Sequence, residues 1–225
     1  SAPRGDCPTY CGSMTEGPSQ PTDNRIVLAT RNAHKVAELG DILADVLHRT
    51  GLTLVGVTDF PEVQDVVETG VTFAANATLK AEAVAVATGL PALGDDSGLA
   101  VDVLGGSPGV FSARWSGVTG EDKDRANNEL LLSQLSDVPD VHRAAGFVCA
   151  AALAVPGRET IVREGRVRGE LGRAPRGTNG FGYDPLLVLP DGRTLAEYSA
   201  AEKHAISHRG RAFRALAEDI VRVLG

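Results

Sequence analysis

Two adjacent carboxylates, Asp95 and Asp96, stand in the run Gly-Asp-Asp-Ser-Gly between two apolar segments. Magnesium is a hard ion that uses one or two protein carboxylates together with water and substrate phosphates. A carboxylate beside such a metal also orients or deprotonates an attacking water. A solvated turn would explain the acidic run as well, but an idle pair of like charges is awkward between apolar segments. We therefore favour a magnesium site built from this acidic turn and the distant Glu68.

A second candidate site is a polar hexapeptide at the end of an apolar run, where a helical pattern opens. Backbone N–H groups at a helix N-terminus suit phosphate, and the last residue, Lys35, adds a charge one turn in. Lys80 is another cation, seven residues into a later predicted helix. Ordinary capping would explain the hexapeptide without any ligand, and it is not a Walker A loop because the Gly-Lys-Ser/Thr ending is absent. Its residues are Thr30, Arg31, Asn32, Ala33, His34 and Lys35.

A third candidate is the glycine-rich run around Phe181, which is suited to a planar ligand. Flanking glycines let the backbone approach the ligand, and the ring offers a stacking face. Downstream, His208 and Arg209 supply hydrogen-bond donors for a carbonyl-bearing base. Structural explanations remain open: Phe181 would be a small core or turn aromatic, and His204 with His208 a solvated helix face or, with less support, a metal pair. Together, the residues favour a base-binding pocket.

Composition and charge exclude several classes of protein. The formal charge of −7 gives no general attraction to nucleic-acid backbones, so no polymeric nucleic-acid partner is expected. No run approaches the roughly 18 to 20 apolar residues of a membrane-spanning helix, and the N-terminus lacks a secretory pattern. We expect a cytoplasmic protein without a membrane partner. Its cysteines, Cys7, Cys11 and Cys149, form neither a disulfide framework nor a zinc pattern.

The chain divides into a tail and one domain. Residues 1–24 are rich in Pro, Gly, Ser and Thr without a periodic apolar face, so we predict a disordered tail. Met14 would be the natural start, which would make the residues before it a remnant of the expression vector. The predicted domain spans residues 25–225, and a hydrophobic content of 43% can supply its core.

Apolar runs alternate with amphipathic segments along this domain. Apolar positions three and four apart predict helices from about Val36 to Gly51, at 73–88, at 121–135, and at the C-terminus with Ile206, Phe213, Leu216, Ile220 and Val223 buried. Short apolar or alternating runs predict strands at 26–29, 52–57, 99–103 (after the acidic turn 95–98), 144–155, 160–171 and 186–189.

The order of these elements predicts the fold class. The strands 144–155 and 160–171, joined by a Pro-Gly turn, are expected to pair antiparallel. Alternating helices and strands with such a pair predict an α/β domain with a mixed sheet. A dinucleotide-binding reductase is a weaker alternative, suggested by the run Gly105 to Gly109. Its spacing is not Gly-x-Gly-x-x-Gly, and no acidic ribose-binding residue follows it.

Taken together, the motifs resemble one known family, the inosine/xanthosine triphosphate pyrophosphatases. The resemblance covers essentially all of residues 26–224 and rests on motifs in a fixed order. They are Thr30 to Lys35; Glu68 to Phe73 with Asn76 and Lys80; Asp95 to Leu99; Gly105 to Arg114; Gly180 to Pro185; and Ala205 to Gly210.

This resemblance implies a fold, a reaction and residue roles. The expected fold is a single α/β domain, with a long mixed sheet flanked by helices and a nucleotide cleft between two lobes. The reaction is magnesium-dependent hydrolysis of ITP, dITP and XTP to the monophosphate and pyrophosphate, by a homodimer that cleanses the nucleotide pool. Asp96 would bind magnesium and accept the proton, with Glu68 as a second metal-side carboxylate. Thr30 to Lys35 would hold the triphosphate and Lys80 would assist catalysis. The nucleoside pocket would be lined by Ser97, Phe181, Gly182, Tyr183, Asp184, Lys203, His208 and Arg209.

Two alternatives to this function remain. One is a pyrophosphatase of similar fold that acts on modified pyrimidines or on a broad set of nucleotides, which a substrate panel would separate. The other is a nucleotide-binding sensor without turnover. The presence of Asp96, Lys35 and Lys80 argues against the sensor.

Overall fold

The computed structural model describes residues 23–225. The predictions that concern residues 1–22, including most of the disordered tail, the start at Met14 and the roles of Cys7 and Cys11, lie outside the described residues. The strands are β1 Arg25–Leu28, β2 Thr53–Gly56, β3 Ala92–Val101, β4 Ala144–Ala154, β5 Ile161–Leu171 and β6 Leu187–Val188. The helices are α1 Ala33–Ile42, α2 Ala44–Thr50, α3 Phe73–Thr88, α4 Lys123–Gln134, α5 Ala200–Ile206 and α6 His208–Leu224.

The six strands form one mixed sheet in the order β2-β1-β3-β4-β5-β6. Strand β1 is parallel to both β2 and β3, whereas the pairs β3–β4, β4–β5 and β5–β6 are antiparallel. The predicted hairpin of two long strands is therefore confirmed as β4 and β5. The central strand β3 pairs with β4 over its whole length, from Ala92 to Val101.

Helices cover both faces of the sheet. On one face, α1, α2 and α6 bury Leu39, Val46 and Phe213 in one cluster with residues of β1, β3 and β4. On the other, α3 packs Ala77 and Ala81 against small residues of β4. A third cluster joins α4 to the β5 and β6 end of the sheet. The α/β domain with a mixed sheet is confirmed. Within residues 23–225, no helix is both long and apolar enough to cross a membrane.

Helix α3 shows why some boundaries are readable from sequence. The Thr72 hydroxyl accepts a hydrogen bond from the Ala75 N–H at 3.1 Å, and Gly89 ends the helix with φ of +69°. Both caps are local chemistry: a hydroxyl satisfies a free N–H at the start, and glycine adopts the left-handed conformation at the end. The predicted helix 73–88 is confirmed at both ends.

The predicted first helix is divided at Leu43 into α1 and α2. Its hydrogen bonding continues across the break, since the Leu43 N–H bonds to the Leu39 carbonyl and the Leu47 N–H to the Leu43 carbonyl, each at 2.9 Å. The division is thus a local distortion. Leu39, Leu43 and Val46 stay in one buried stripe.

The prediction of a turn at 95–98 is wrong. These residues lie in the middle of β3, where Asp95 is opposite Ala151 and Asp96 is opposite Ala150. The long partner strand β4 supplies hydrogen bonds along the whole segment, and this pairing overrides the turn preference of Asp, Ser and Gly. Strand β3 ends at Val101, so Val103 lies in a short 3-10 turn instead of a strand.

The C-terminal prediction is also corrected. Ile206 ends α5, and Ser207 adopts an extended conformation before α6 begins. The Ser207 hydroxyl accepts a hydrogen bond from the Gly210 N–H at 2.9 Å, which starts the new helix. His204 and His208 therefore lie on different helices and form no common helix face. Smaller differences are a shorter α4 (123–134), a two-residue β6, and a Val223 that is only partly buried.

Candidate active site

The two adjacent aspartates point to opposite sides of β3, because successive side chains of a strand alternate. Asp96 accepts a hydrogen bond from the Asn76 amide of α3 at 2.9 Å. Asp95 instead meets Lys35 of α1 and Arg209 of α6. The carboxylates therefore do not act as the pair that an acidic turn would form, and only Asp96 faces the α3 side.

On the α3 side, Asp96 is partly buried near one cation, Lys80, and one carboxylate, Glu68. Burial raises its pKa above the ordinary range, and the negative charge of Glu68 raises it further. The Asn76 hydrogen bond, the charge of Lys80 and the Ser97 N–H, at 2.9 Å from the carboxylate, act in the opposite direction. Lys80 is bonded to Glu68 at 2.7 Å. A carboxylate with a raised pKa in such a setting is suited to accept a proton.

The donor set on this side fits magnesium. Within residues 23–225 no group of three or more His, Cys, Asp or Glu side chains is arranged to hold a metal. Asp96 and Glu68 are close enough for the charge of Glu68 to raise the pKa of Asp96. Two hard oxygen donors of this kind are what magnesium takes from a protein when water and phosphates complete its shell.

The predicted phosphate segment is an ordinary capped helix start. The Asn32 side chain accepts hydrogen bonds from the N–H groups of His34 and Lys35, at 2.9 and 3.4 Å. The Arg31 guanidinium is engaged by the Val63 carbonyl and by the exposed Asp65, at 2.5 and 2.8 Å. Capping, which sequence reasoning kept as the alternative, is therefore present.

Tertiary contacts nevertheless bring this segment to the other candidates. Thr30, Arg31 and Lys80 line a common cavity of about 300 Å³, and the Lys35 ammonium lies 3.5 Å from Asp95. Ala33 and His34 are exposed at the start of α1 and line neither this cavity nor the larger one. Thr30, Arg31 and Lys80 thus share one cavity, whereas Lys35 lines neither cavity and lies on the Asp95 side of β3.

A larger cavity of about 410 Å³ lies on the Asp95 side of the sheet. Its wall joins α1 and the centre of the sheet to the loop 179–184 and to α4, α5 and α6. Of the predicted pocket residues, it is lined by Ser97, Phe181, Gly182, Tyr183, Asp184, Lys203, His208 and Arg209.

Phe181 presents its ring at the cavity, with 65% of the residue exposed. Its N–H donates to Asp184 at 2.9 Å, and the same carboxylate oxygen bonds the Lys203 ammonium at 2.5 Å. Lys203 also lies 5.1 Å from the centre of the Phe181 ring. Gly180 has a φ of +80°, and a side chain there would collide with Asp184. The loop therefore places the exposed ring of Phe181 next to the buried ion pair between Asp184 and Lys203.

Two predicted pocket residues, Tyr183 and Gly182, mainly hold the loop around Phe181 in place. Tyr183 is 3% exposed and its hydroxyl donates to the Ser112 carbonyl at 2.7 Å, while burial raises its pKa. Gly182 is held at both ends by α4: its N–H donates to Asp124 at 2.8 Å, and its carbonyl accepts from Asn128 at 3.0 Å. These contacts fix the backbone on which Phe181 stands.

His208 faces the cavity as a neutral ring. Burial lowers its pKa to about 3, and the nearby charges of Arg209, Lys203 and Lys35 lower it in the same direction. The ring stacks on Phe147 with centroids 5.0 Å apart. Its Nδ1 is buried without a hydrogen-bond partner among the described residues. A neutral imidazole has one donor and one acceptor nitrogen, so it can read a base edge.

Sequence reasoning missed several residues of this site. Glu38, Asp124, Asn127 and Phe147 line the large cavity, and none stands in a motif with chemical meaning of its own. Glu38 and Asp124 resemble ordinary surface residues of amphipathic helices, and Phe147 resembles a core residue of a strand. No local pattern indicates them, because their place follows from how α1, α4 and β4 pack.

The fold and site define a class of protein: an α/β domain with a mixed sheet and a cleft lined by an exposed aromatic ring, carboxylates and cations. Comparison with known proteins agrees. The model of the Ham1 family matches residues 26–219, and the chain belongs to this family.

This chain matches its named relatives over nearly their whole length. A protein named dITP/XTP pyrophosphatase from Streptomyces avermitilis is 61% identical over 205 residues, which are 89% of this chain and 99% of the relative. The structure of a HAM1 protein from Coxiella burnetii superposes with a TM-score of 0.80 at 40% identity, covering 88% of this chain and 99% of the other. The crystal structure of the nucleoside-triphosphatase / dITP/XTP pyrophosphatase from Mycobacterium abscessus gives 0.72 at 52% identity, covering 85% and 97%.

Proposed function

We propose that this protein hydrolyses dITP, ITP and XTP to the monophosphate and pyrophosphate, and so removes non-standard purine nucleotides from the pool. One observation carries the proposal: strand β3 turns Ser97 to the base-sized cavity and Asp96 to the side of Glu68 and Lys80. One nucleotide lying across this strand would have its base in the cavity beside Ser97 and its α-phosphate beside Asp96. The relatives are named dITP/XTP pyrophosphatase, and both dITP and XTP are nucleotides with a purine base and a triphosphate.

At the phosphate end, Asp96 and Glu68 would hold magnesium, which supplies charge neutralisation at the phosphate oxygens when bound. Asp96 would also accept the proton of a water molecule as that water attacks the α-phosphorus. The bond from the α-phosphorus to the bridging oxygen breaks, and pyrophosphate leaves. Lys35 and Lys80 would bind the negative phosphates, since this reaction depends mostly on positioning and charge neutralisation.

At the base end, Phe181 would stack on the purine, and His208 with Arg209 would donate hydrogen bonds to its 6-keto oxygen. A 6-amino base cannot accept these bonds and leaves buried donors unpaired. Sites of this type discriminate by about 10⁴ to 10⁵ when a required hydrogen bond is missing. The neutral state of His208 supports this role, because an uncharged ring has no general preference for anions.

The assembly and location proposed with this function are a homodimer in the cytoplasm. They rest on the family resemblance and on the charge pattern of the chain, and the magnesium requirement rests on the donor set of Asp96 and Glu68. Size-exclusion chromatography with light scattering measures the assembly directly. A monomer at micromolar concentration would contradict the homodimer.

The function is tested by pyrophosphate release from ITP, XTP, ATP, GTP and dTTP, with and without magnesium. We expect magnesium-dependent release from ITP and XTP, weak release from ATP and dTTP, and loss of activity in Asp96→Asn. GTP also has a 6-keto oxygen, so weak release from GTP would show that the 2-position of the purine is tested separately. Equal rates on all five would favour a pyrophosphatase of broad specificity. Binding of ITP without release would favour the nucleotide sensor.

A further inference from the structure

Asp95 is a buried carboxylate in contact with two cations that serve opposite ends of the site. It is 4% exposed, and one of its oxygens, Oδ2, lies 3.2 Å from Nε of Arg209 and 3.5 Å from Nζ of Lys35. Lys35 belongs to the proposed phosphate end and Arg209 to the proposed base end. The Oδ2 atom of Asp95 thus contacts one cation from each proposed end of the site.

The bond to Asp95 determines which donors of Arg209 remain for a ligand. Its Nε faces Asp95, and its Nη1 lies 3.4 Å from Glu38. Its Nη2 makes no hydrogen bond to any residue in 23–225, and the residue lines the large cavity although it is only 5% exposed. Because the guanidinium is planar, fixing Nε and Nη1 fixes the direction of Nη2.

Two cations balance the charge of Asp95 at short range, Arg209 at 3.2 Å and Lys35 at 3.5 Å. A buried carboxylate bonded to a guanidinium in this way is suited to hold it in one orientation. The same cations hold the pKa of Asp95 below the ordinary range, although burial would raise it.

We propose that Asp95 is a positioning residue which aims Arg209 into the cavity, and that the selectivity for 6-keto purines depends on it. Asp95 itself lines neither of the two cavities described above. This inference rests on the proposed function and extends it to a residue on the far side of β3 from Asp96. Because Asp95 also contacts Lys35, one buried carboxylate contacts a cation of the proposed phosphate end and a cation of the proposed base end.

The test compares two substrates that differ at position 6 of the purine, dITP and dATP. In Asp95→Asn, we expect the ratio of their kcat/KM values to fall by about ten- to a hundredfold. The change should appear mainly in the KM for dITP, since the groups on the α3 side stay in place. The ratio of the dissociation constant of dIMP to that of dAMP, measured without magnesium, should rise by a similar factor.

Asp95→Glu guards against a variant that does not fold. It retains the negative charge beside Lys35 and Arg209 but moves the carboxylate by one methylene. A positioning role predicts that this variant also loses selectivity, whereas a role in charge balance alone predicts that selectivity is kept. Retained selectivity in folded Asp95→Glu and Asp95→Asn would overturn the proposal.

A matched control is Asp219→Asn on α6. Asp219 is also a buried aspartate between two cations, 2.9 Å from Arg163 and 2.6 Å from Arg222, and it does not line the cavity. We expect its selectivity to equal that of the wild type. An equal loss in Asp219→Asn would show general loosening and would contradict a specific role for Asp95.

A double-mutant cycle tests whether Asp95 acts through Arg209. In an Arg209→Gln background, Asp95→Asn should cause no further loss of selectivity. Independent, multiplicative losses would overturn the proposed route. If the wild type released no pyrophosphate from dITP, the proposed function would fail, and the dIMP and dAMP affinities would still decide the role of Asp95.

Discussion

The two sides of β3 give adjacent aspartates opposite electrostatic settings. Asp95 lies among cations, and its pKa is held well below the ordinary range. Asp96 lies near Glu68 in a partly buried site, and its pKa is raised. The first setting favours the charged form of the carboxylate, and the second disfavours it. The difference shows that identical residues acquire different roles from the layers that cover each face of a sheet.

The largest expected effect is on the Asp96 side. Asp96→Asn should lower kcat by about 10² to 10⁴, the contribution typical of a general base. Its free energy of unfolding at pH 7 should be unchanged or slightly higher, because a raised pKa means that folding disfavours the charged form. Steady-state kinetics and urea denaturation measure both quantities. Wild-type turnover by this variant would remove Asp96 from the mechanism.

The opposite result is expected on the Asp95 side. Asp95→Asn should reduce the free energy of unfolding by about 3 kcal/mol, because it leaves Arg209 and Lys35 without their buried counter-ion. Urea denaturation of both variants measures the contrast. Equal stabilities of Asp95→Asn and Asp96→Asn would break the comparison between the two faces.

His208, on the Asp95 side, should make stability depend on pH. Its pKa is about 3 when folded and 6.5 in the reference state, so below pH 6.5 the unfolded chain binds more protons. Stability should therefore fall as pH decreases, by about 2 kcal/mol between pH 6.5 and pH 5. His208→Asn should flatten this slope. The exposed His142→Asn is the control, and an unchanged slope in His208→Asn would contradict a buried neutral ring.

The smallest expected effect concerns Glu68, on the Asp96 side. Glu68→Gln should raise the magnesium concentration for half-maximal activity by about tenfold, because one oxygen donor loses its charge. Magnesium titrations of pyrophosphate release provide the measurement. Glu82→Gln, a change at an exposed position of α3 that lines neither cavity, should leave the titration unchanged. An unaltered curve for Glu68→Gln would exclude Glu68 from the metal site.

Local chemistry explains which parts of the fold were predictable. Helix α3 was predicted at both ends because Thr72 and Gly89 cap it through contacts a few residues long. The turn predicted at 95–98 was wrong because the partner strand β4 begins about 50 residues later in the chain. Turn preference is a property of a short segment, whereas strand pairing is decided by the rest of the fold.

The candidate site, like the fold, was predictable from the sequence only in part. The sequence by itself determined which motifs carry cations, carboxylates and an exposed aromatic, and their order identified the family. Only the tertiary structure decided that Asp95 and Asp96 serve different sides. The Asp95 partners Lys35 and Arg209 lie 60 and 114 residues away, and side-chain alternation separates neighbours only once the segment is a strand. Ionic partners follow from packing, because charges interact through space and not along the chain.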